Sequence, residues 1–404
     1  MTPAARVQMA IEILDGLETT AQPTDRFLKS WFRTRRFAGS KDRRAIADHV
    51  FAIQRRLAQL SHRINDTSRG RMIAALLENG EDVAALFSGG YGPAPLTVAE
   101  RAAMTATPSP APDWVTGEYP LWLEGELKRA FGDDLAAEMA AFIGRAPTDI
   151  RANTLKTTRD ALLAELSAVP TPYAPHGLRI TGDATALSQS PLFEAGAFEF
   201  QDEAAQIASA LCAVVPGMRV LDLAAGAGGK SLALAAAMQN QGEIVACDVR
   251  GEALLELEKR AARAGATIIR TLPLEHVQPS GLFDVVLVDA PCSGTGTWRR
   301  QPELRWRLTS ARLAELTGIQ DRLLDQAAAL VIPGGRLVYA TCSILPVENQ
   351  DRLAAFRTRH PGFVPTDLGQ TWGSNPPPGL GADFRASPAK TGTDGFYCAG
   401  LRRE

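Results

Sequence analysis

The sequence predicts an α/β protein. A doubly wound, mostly parallel sheet is expected over residues 199–404, after a small α+β module at 113–198 and an all-helical region at 1–112. Three observations carry this. From about Glu199 onward, apolar strand-like runs alternate with helical stretches. The first of those strands runs into a glycine-rich loop, Ala224-Ala225-Gly226-Ala227-Gly228-Gly229-Lys230-Ser231. Residues 1 to about 105 keep helical spacing and show no strand-like alternation.

In the helical region, Val7, Ile11, Leu14 and Leu17 fall on one face, as do Ile46, Val50, Ile53 and Leu57. Phe27, Trp31 and Phe32 mark a further helix, and Ser40 followed by Lys41-Asp42-Arg43 reads as a helix start. The run Thr107-Pro108-Ser109-Pro110-Ala111-Pro112 breaks the pattern and reads as a linker. In the module, Leu121 to Phe131, Leu135 to Ile143 and Asp160 to Leu166 are helical, and Ile150–Leu155 and Leu178–Ile180 are short strands. The strands expected in the main sheet are Arg219–Leu223, Ile244–Cys247, Ile268–Arg270, Val285–Val288, Leu337–Ala340 and Phe396–Ala399.

A chain of 404 residues, 45% of them hydrophobic, buries a large core and divides into two or three domains. A net charge of −2 excludes a generic polyanion binder, yet the stretch from Arg26 to Arg71 is strongly basic, opposed only by Asp42, Asp48 and Asp66. Five cysteines with no C-x-x-C pair argue against a disulfide framework and for a reducing compartment. The five histidines show no metal-ligand spacing, so no metal is expected. No apolar run is long enough to span a membrane and the N-terminus is not a secretory signal, so a cytoplasmic monomer without membrane partners is expected.

Glycines after a strand let a ligand approach the backbone at a helix N-terminus. Two ligand classes compete for this loop. Gly229-Lys230-Ser231 resembles the end of a phosphate-binding P-loop, with Asp289 as the magnesium-holding acid, but Ala224 stands where the first glycine belongs. The other class is S-adenosylmethionine (SAM), whose ribose hydroxyls call for an acid at the end of the second strand. Asp248, about 20 residues past the loop, meets that need, and the balance favours SAM.

Cys292, in Asp289-Ala290-Pro291-Cys292-Ser293-Gly294, and Cys342, in Thr341-Cys342-Ser343, each directly follow an apolar strand. Ligands bind at the carboxyl ends of parallel strands. Two thiols at that edge suit nucleophilic catalysis on a pyrimidine. A thiolate adds at C6 and makes C5 carbanion-like, an acid at N3 absorbs charge, and a second group assists release. Cys212, Cys247 and Cys398 read instead as small buried hydrophobes.

These residues carry a resemblance. Asp289-Ala290-Pro291-Cys292-Ser293-Gly294-Thr295-Gly296, and Thr341-Cys342-Ser343 followed by Pro346, Glu348 and Asn349, resemble the two signature motifs of the Sun/Fmu (RsmB-type) RNA 5-methylcytosine methyltransferases. Arg151-Ala152-Asn153, Gln201-Asp202-Glu203 and Arg299-Arg300-Gln301-Pro302-Glu303 support it, over roughly residues 115–404. The resemblance implies a Rossmann-like SAM-dependent methyltransferase domain. It makes Cys342 the C6 nucleophile and Cys292 the group that assists release. Asp289 would face the target base and the methyl-donor end of SAM; Ala224, Ala225, Gly226, Ala227, Gly228, Gly229 and Lys230 would hold the cofactor, and Asp248 its ribose. The loop departs from the family's usual Cys-Ala-Ala-Pro-Gly-Gly-Lys, and the segment Arg270–Glu275 lacks the aspartate that the family places against adenine.

The N-terminal helices resemble, more loosely, the NusB-like RNA-binding domain of some bacterial members, and the 113–198 module would connect or bind RNA. A basic stretch interleaved with Trp31, Phe32 and Phe37 suits phosphate contacts with some stacking. The implied activity is methylation of cytosine C5 in RNA, with 16S ribosomal RNA favoured and transfer RNA the alternative, and the target base must be unpaired or flipped out. A P-loop NTPase acting on RNA and a non-catalytic RNA-binding assembly factor are the competing readings.

Overall fold

The computed structural model describes residues 1–277, 280–373 and 375–404. The chain forms two compact units: Met1–Arg145 with Trp298–Arg307, and Ala146–Thr297 with Leu308–Glu404.

The described elements of the first unit are all helical. The helix Pro3–Glu18 starts where Thr2 accepts the amide of Ala5, and it buries Val7, Ile11, Leu14 and Leu17, the spacing read from the sequence. Helices Thr24–Arg33, Ser40–Arg55 and Ser68–Glu78 close the same core. Trp31 and Phe32 are buried in it, which corrects their expected part in stacking on nucleic acid: with Leu28 they form the apolar side of their helix. Phe37 stays exposed. Part of the basic stretch is also engaged locally. Arg71 pairs with Glu18 and Asp66, Arg69 with Glu100, and Arg35 lies over the Trp31 ring. Helices Glu124–Phe131 and Leu135–Ile143 complete the unit, together with Trp298–Arg307, whose buried Arg305 donates to the carbonyl of Phe142 at 2.7 Å.

In the second unit, β1 (Asp149–Ala152), β2 (Ala168–Pro170), β3 (Gly177–Ile180) and β4 (Phe198–Phe200) form an antiparallel sheet of order β2-β3-β1-β4. The larger sheet holds β5 (Arg219–Asp222), β6 (Glu243–Asp248), β7 (Ile269–Pro273), β8 (Phe283–Asp289), β9 (Val331–Thr341), β10 (Phe363–Thr366), β11 (Asp383–Ala386) and β12 (Phe396–Arg403). Its order is β10-β12-β9-β8-β5-β6-β7, with β11 paired to β12.

Strands β5 to β9 are parallel, and β12 is antiparallel to β9. Both faces are covered. Val220, Ile244 and Val285 face one core; Leu221, Val245 and Val286 face the other. Burial on two sides is why these strands read as continuous apolar runs rather than alternating ones. The order reverses between β5 and β8, which makes the carboxyl end of β5 the switch point where a crevice opens.

Among the described residues no helix is long and apolar enough to cross a membrane.

Candidate active site

Four adjacent strands deliver the candidate residues to one edge. The glycine loop leaves β5, Asp248 ends β6, Asp289 ends β8, and Cys342 follows β9 by one residue. Beside them lies a cleft of about 940 Å³, lined by Ala224, Ala225, Gly226, Ala227, Gly229, Lys230, Asp248, Asp289 and Cys292, with Leu316 and Ile319 on an apolar wall.

Gly228 does not line this cleft. It is the N-cap of helix Gly229–Ala237 at φ 81°, and a Cβ there would lie 2.4 Å from Leu257 Cγ. Glycine is required at that position by backbone sign and by packing together. Gly226 is also left-handed, at φ 55°. The loop is fastened from outside: Arg260 donates to the carbonyl of Ala227 at 2.6 Å, and buried Arg151 to that of Gly229 at 2.9 Å.

Asp248 is buried and accepts the amide of Gly226 at 2.8 Å, the amide of Arg250 at 2.8 Å and Arg250 Nε at 3.0 Å. Burial pushes its carboxyl up, but the Arg250 side chain and the two amides outweigh that and leave it below the usual range.

Lys230 Nζ donates to Asp289 Oδ2 at 2.6 Å and stands 5.0 Å from the centre of the Phe396 ring. Burial pulls the ammonium down, yet the adjacent Asp289 carboxylate holds it above the ordinary lysine value. Ser231 Oγ donates to Asp222 Oδ2 at 2.6 Å, with both residues fully buried. A P-loop would keep that lysine for phosphate and that hydroxyl for magnesium. Here both face protein carboxylates, which argues against the NTPase reading.

The two thiols are brought together: Cys292 Sγ and Cys342 Sγ are 3.3 Å apart, and both residues are partly exposed. Gly296 makes the approach of their loops close. Its amide donates to the carbonyl of Cys342 at 2.9 Å, its carbonyl accepts from Gly395 at 2.8 Å, and a Cβ on it would lie 2.0 Å from the Gly395 oxygen. The hydrogen bond to Cys342, then burial, pushes the Cys292 thiol well up, so it stays protonated beside its neighbour. Cys212, Cys247 and Cys398 are buried in the cores, where burial raises their thiols and leaves them inert.

Sequence reasoning missed Arg250, the partner of Asp248, and Gln320. The signal for Gln320 was present. It is a polar residue in the buried stripe Leu313, Leu316, Leu323, Leu324 and Ala327 of helix Ser310–Ala328, and it donates to the carbonyl of Pro291 at 3.0 Å.

Residues 210–402 match the family model of the 16S rRNA methyltransferase RsmB/F, and residues 119–186 match the ferredoxin-like domain of RsmF/B-like methyltransferases. The chain is 33% identical over 306 residues to a probable ribosomal RNA small subunit methyltransferase B of Synechocystis sp., covering 70% of this chain and 67% of the relative. It is 35% identical over 295 residues to the ribosomal RNA small subunit methyltransferase B of Xylella fastidiosa, covering 71% of this chain and 69% of the relative. For other relatives of that name the matched share of their own length is 65% to 66%. The crystal structure of PH0851 superposes with a TM-score of 0.79 at 27% identity, over 100% of this chain and 99% of that one.

Proposed function

The chain belongs to the RsmB/F family of 16S rRNA methyltransferases, and from that premise we propose that it methylates C5 of a cytosine in 16S ribosomal RNA, using SAM and a transient bond between Cys342 and C6 of the base. The observation that carries this reading is the pair of thiols 3.3 Å apart, at the strand ends beside the cleft.

The residues present fit the cofactor. The cleft combines a buried carboxylate, Asp248, suited to ribose hydroxyls, with an apolar wall at Leu316 and Ile319 suited to a base, and with a glycine-bearing loop that leaves backbone exposed. When bound, SAM supplies an electrophilic methyl group.

The protein's part begins at Cys342. Its thiolate adds to C6, and the electron pair of the C5–C6 double bond moves to C5, making that carbon nucleophilic. Asp289 lines the cleft with its carboxylate bonded to the Lys230 ammonium, and a proton passed from that ammonium through the Asp289 carboxyl meets the charge that N3 of the ring gains. After C5 is alkylated its proton is removed by a base, the pair returns to the ring, and the C6–S bond breaks with its electrons going to Cys342. Cys292, protonated and in contact with Cys342 Sγ, is placed to assist that release.

Incubation with methyl-labelled SAM and unmodified 16S ribosomal RNA, followed by nucleoside analysis, tests this. Label in 5-methylcytidine is the expected result. Label on adenine, on ribose, or on no nucleoside would sink the reading, and bisulfite sequencing would place the modified position.

A further inference from the structure

Resting on that reading, we propose that Glu348 is a positioning residue whose carboxylate sets the spacing of the two thiols. Glu348 is fully buried and ends the turn Pro346–Glu348 that follows the Cys342 loop. Its Oε1 accepts the backbone amide of Ser293 at 2.8 Å and Gln320 Nε2 at 3.0 Å. Its Oε2 accepts the hydroxyls of Ser293 and Ser343, each at 2.5 Å. Ser293 follows Cys292 in the chain, and Ser343 follows Cys342. One carboxylate therefore ties together the residues immediately after both reactive sulfurs.

The carboxylate is itself well held. The carbonyl of Glu348 accepts from Tyr339 at 2.6 Å, and its amide donates to Leu345 at 3.0 Å. The neighbouring Asn349 accepts from Thr341 Oγ1 at 2.6 Å and donates to the carbonyl of Ser343 at 2.9 Å, so the Cys342 turn is braced from both sides. Thr295 Oγ1 adds a contact of 3.1 Å to Ser343 Oγ.

Among the described residues, the four groups that donate to Glu348 are all neutral. Burying a carboxylate among neutral donors is costly unless several hydrogen bonds converge on it. Here four converge, and they come from three separate segments: the Cys292 loop, the Cys342 loop and helix Ser310–Ala328. A mere tether between two loops needs no charge. A carboxylate gives short, directional bonds, and its charge adds to the hydrogen bond and burial that keep the Cys292 thiol protonated. The arrangement fixes one sulfur relative to the other, which is the geometry that release of the adduct requires.

The test uses the full-length protein with Glu348→Gln and Ser343→Ala, both close to native volume. The first readout needs neither RNA nor SAM. Diamide takes one hydrogen from each thiol and becomes the hydrazine while Cys292 and Cys342 form a disulfide, followed by intact mass. With each rate divided by the same variant's rate of iodoacetamide alkylation, which corrects for the thiolate that Glu348→Gln frees, loss of these bonds should slow closure about tenfold in either variant. The second readout is the fraction of protein trapped as a covalent RNA adduct with SAM present, which should rise as release lags addition. Wild-type closure rates together with a wild-type adduct fraction would overturn the proposal. A variant that no longer melts cooperatively is replaced by Ser293→Ala, which removes a single hydroxyl donor and carries the same expectations. An absence of adduct and methylation in the wild-type protein, with disulfide closure slowed in the variants, would instead reject the covalent reading of the function and leave the spacing role standing.

Discussion

The ammonium of Lys230 is bonded to the carboxylate of Asp289 at 2.6 Å, joining the first turn of the helix after the glycine loop to the end of β8. Lys230 is nearly enclosed, with a side chain 10% exposed, whereas Asp289 opens on the cleft. The pair thus links the proposed cofactor side of the site to the proposed base side. Removing the acid leaves a buried ammonium facing a neutral group.

Asp289→Asn keeps the shape and removes the charge. Turnover should fall by about 10²–10⁴-fold, the usual size of a lost acid–base contribution. The fold should lose roughly 1–3 kcal/mol, the scale of a buried charged group stripped of its partner. Single-turnover methylation and a guanidinium titration read the two effects. A variant of native stability would mean that Asp289 is not what holds the Lys230 ammonium in place.

Cys342→Ala should abolish methylation and leave no adduct, because the sulfur proposed to bond to C6 is gone. Cys292→Ala keeps that sulfur and loses the neighbour 3.3 Å away that is proposed to assist release. It should accumulate a protein–RNA complex that survives a denaturing gel. If both variants turn over normally, neither sulfur is the nucleophile.

Much of this site is legible in the sequence, and for a physical reason. In a parallel sheet the strands point one way, so a residue just past an apolar run lands at the same edge as its counterparts. That places Asp248, the Asp289–Cys292 segment and Cys342 together, although the three lie far apart in sequence. The parts that were not legible depend on long-range pairing. β10 and β11 are four-residue edge elements whose partner is β12, and that contact has no local period. Trp31 and Phe32 carried two compatible signals, aromatic among arginines and apolar at helical spacing, and core packing won. Glu348 stood inside a recognised motif, but only the fold shows that its partners come from three segments.

Asp222 gives a pH prediction. Burial, partly offset by the Ser231 hydroxyl and reinforced by Asp289, pushes its carboxyl from 3.8 up to about 7. The folded chain therefore keeps a proton that the unfolded chain gives up near 3.8. Its favourable contribution is complete below that value and is lost as the pH climbs through about 7. Asp222→Asn cannot lose such a proton. Its guanidinium midpoint relative to wild type should move in its favour between pH 5 and pH 8. Parallel midpoints across that window would show that Asp222 titrates as an ordinary surface acid.

Asp248 and Arg250 separate ligand contact from scaffold. Asp248 holds the glycine loop through the Gly226 amide and also presents the carboxylate proposed to meet the ribose. Asp248→Ala should weaken SAM binding by about 10–100-fold, the cost of losing hydrogen bonds to a charged group. Arg250 bonds to the same two oxygens, at 3.0 and 3.1 Å, from a largely exposed side chain. It would compete with the proposed ribose for that carboxylate rather than add to the contact. Arg250→Ala should therefore bind SAM within about threefold of wild type, as expected for an exposed ion pair of small net worth. Calorimetric titration of both variants decides. Equal losses would mean that the ion pair holds the loop in shape and that the carboxylate is not itself the ribose contact.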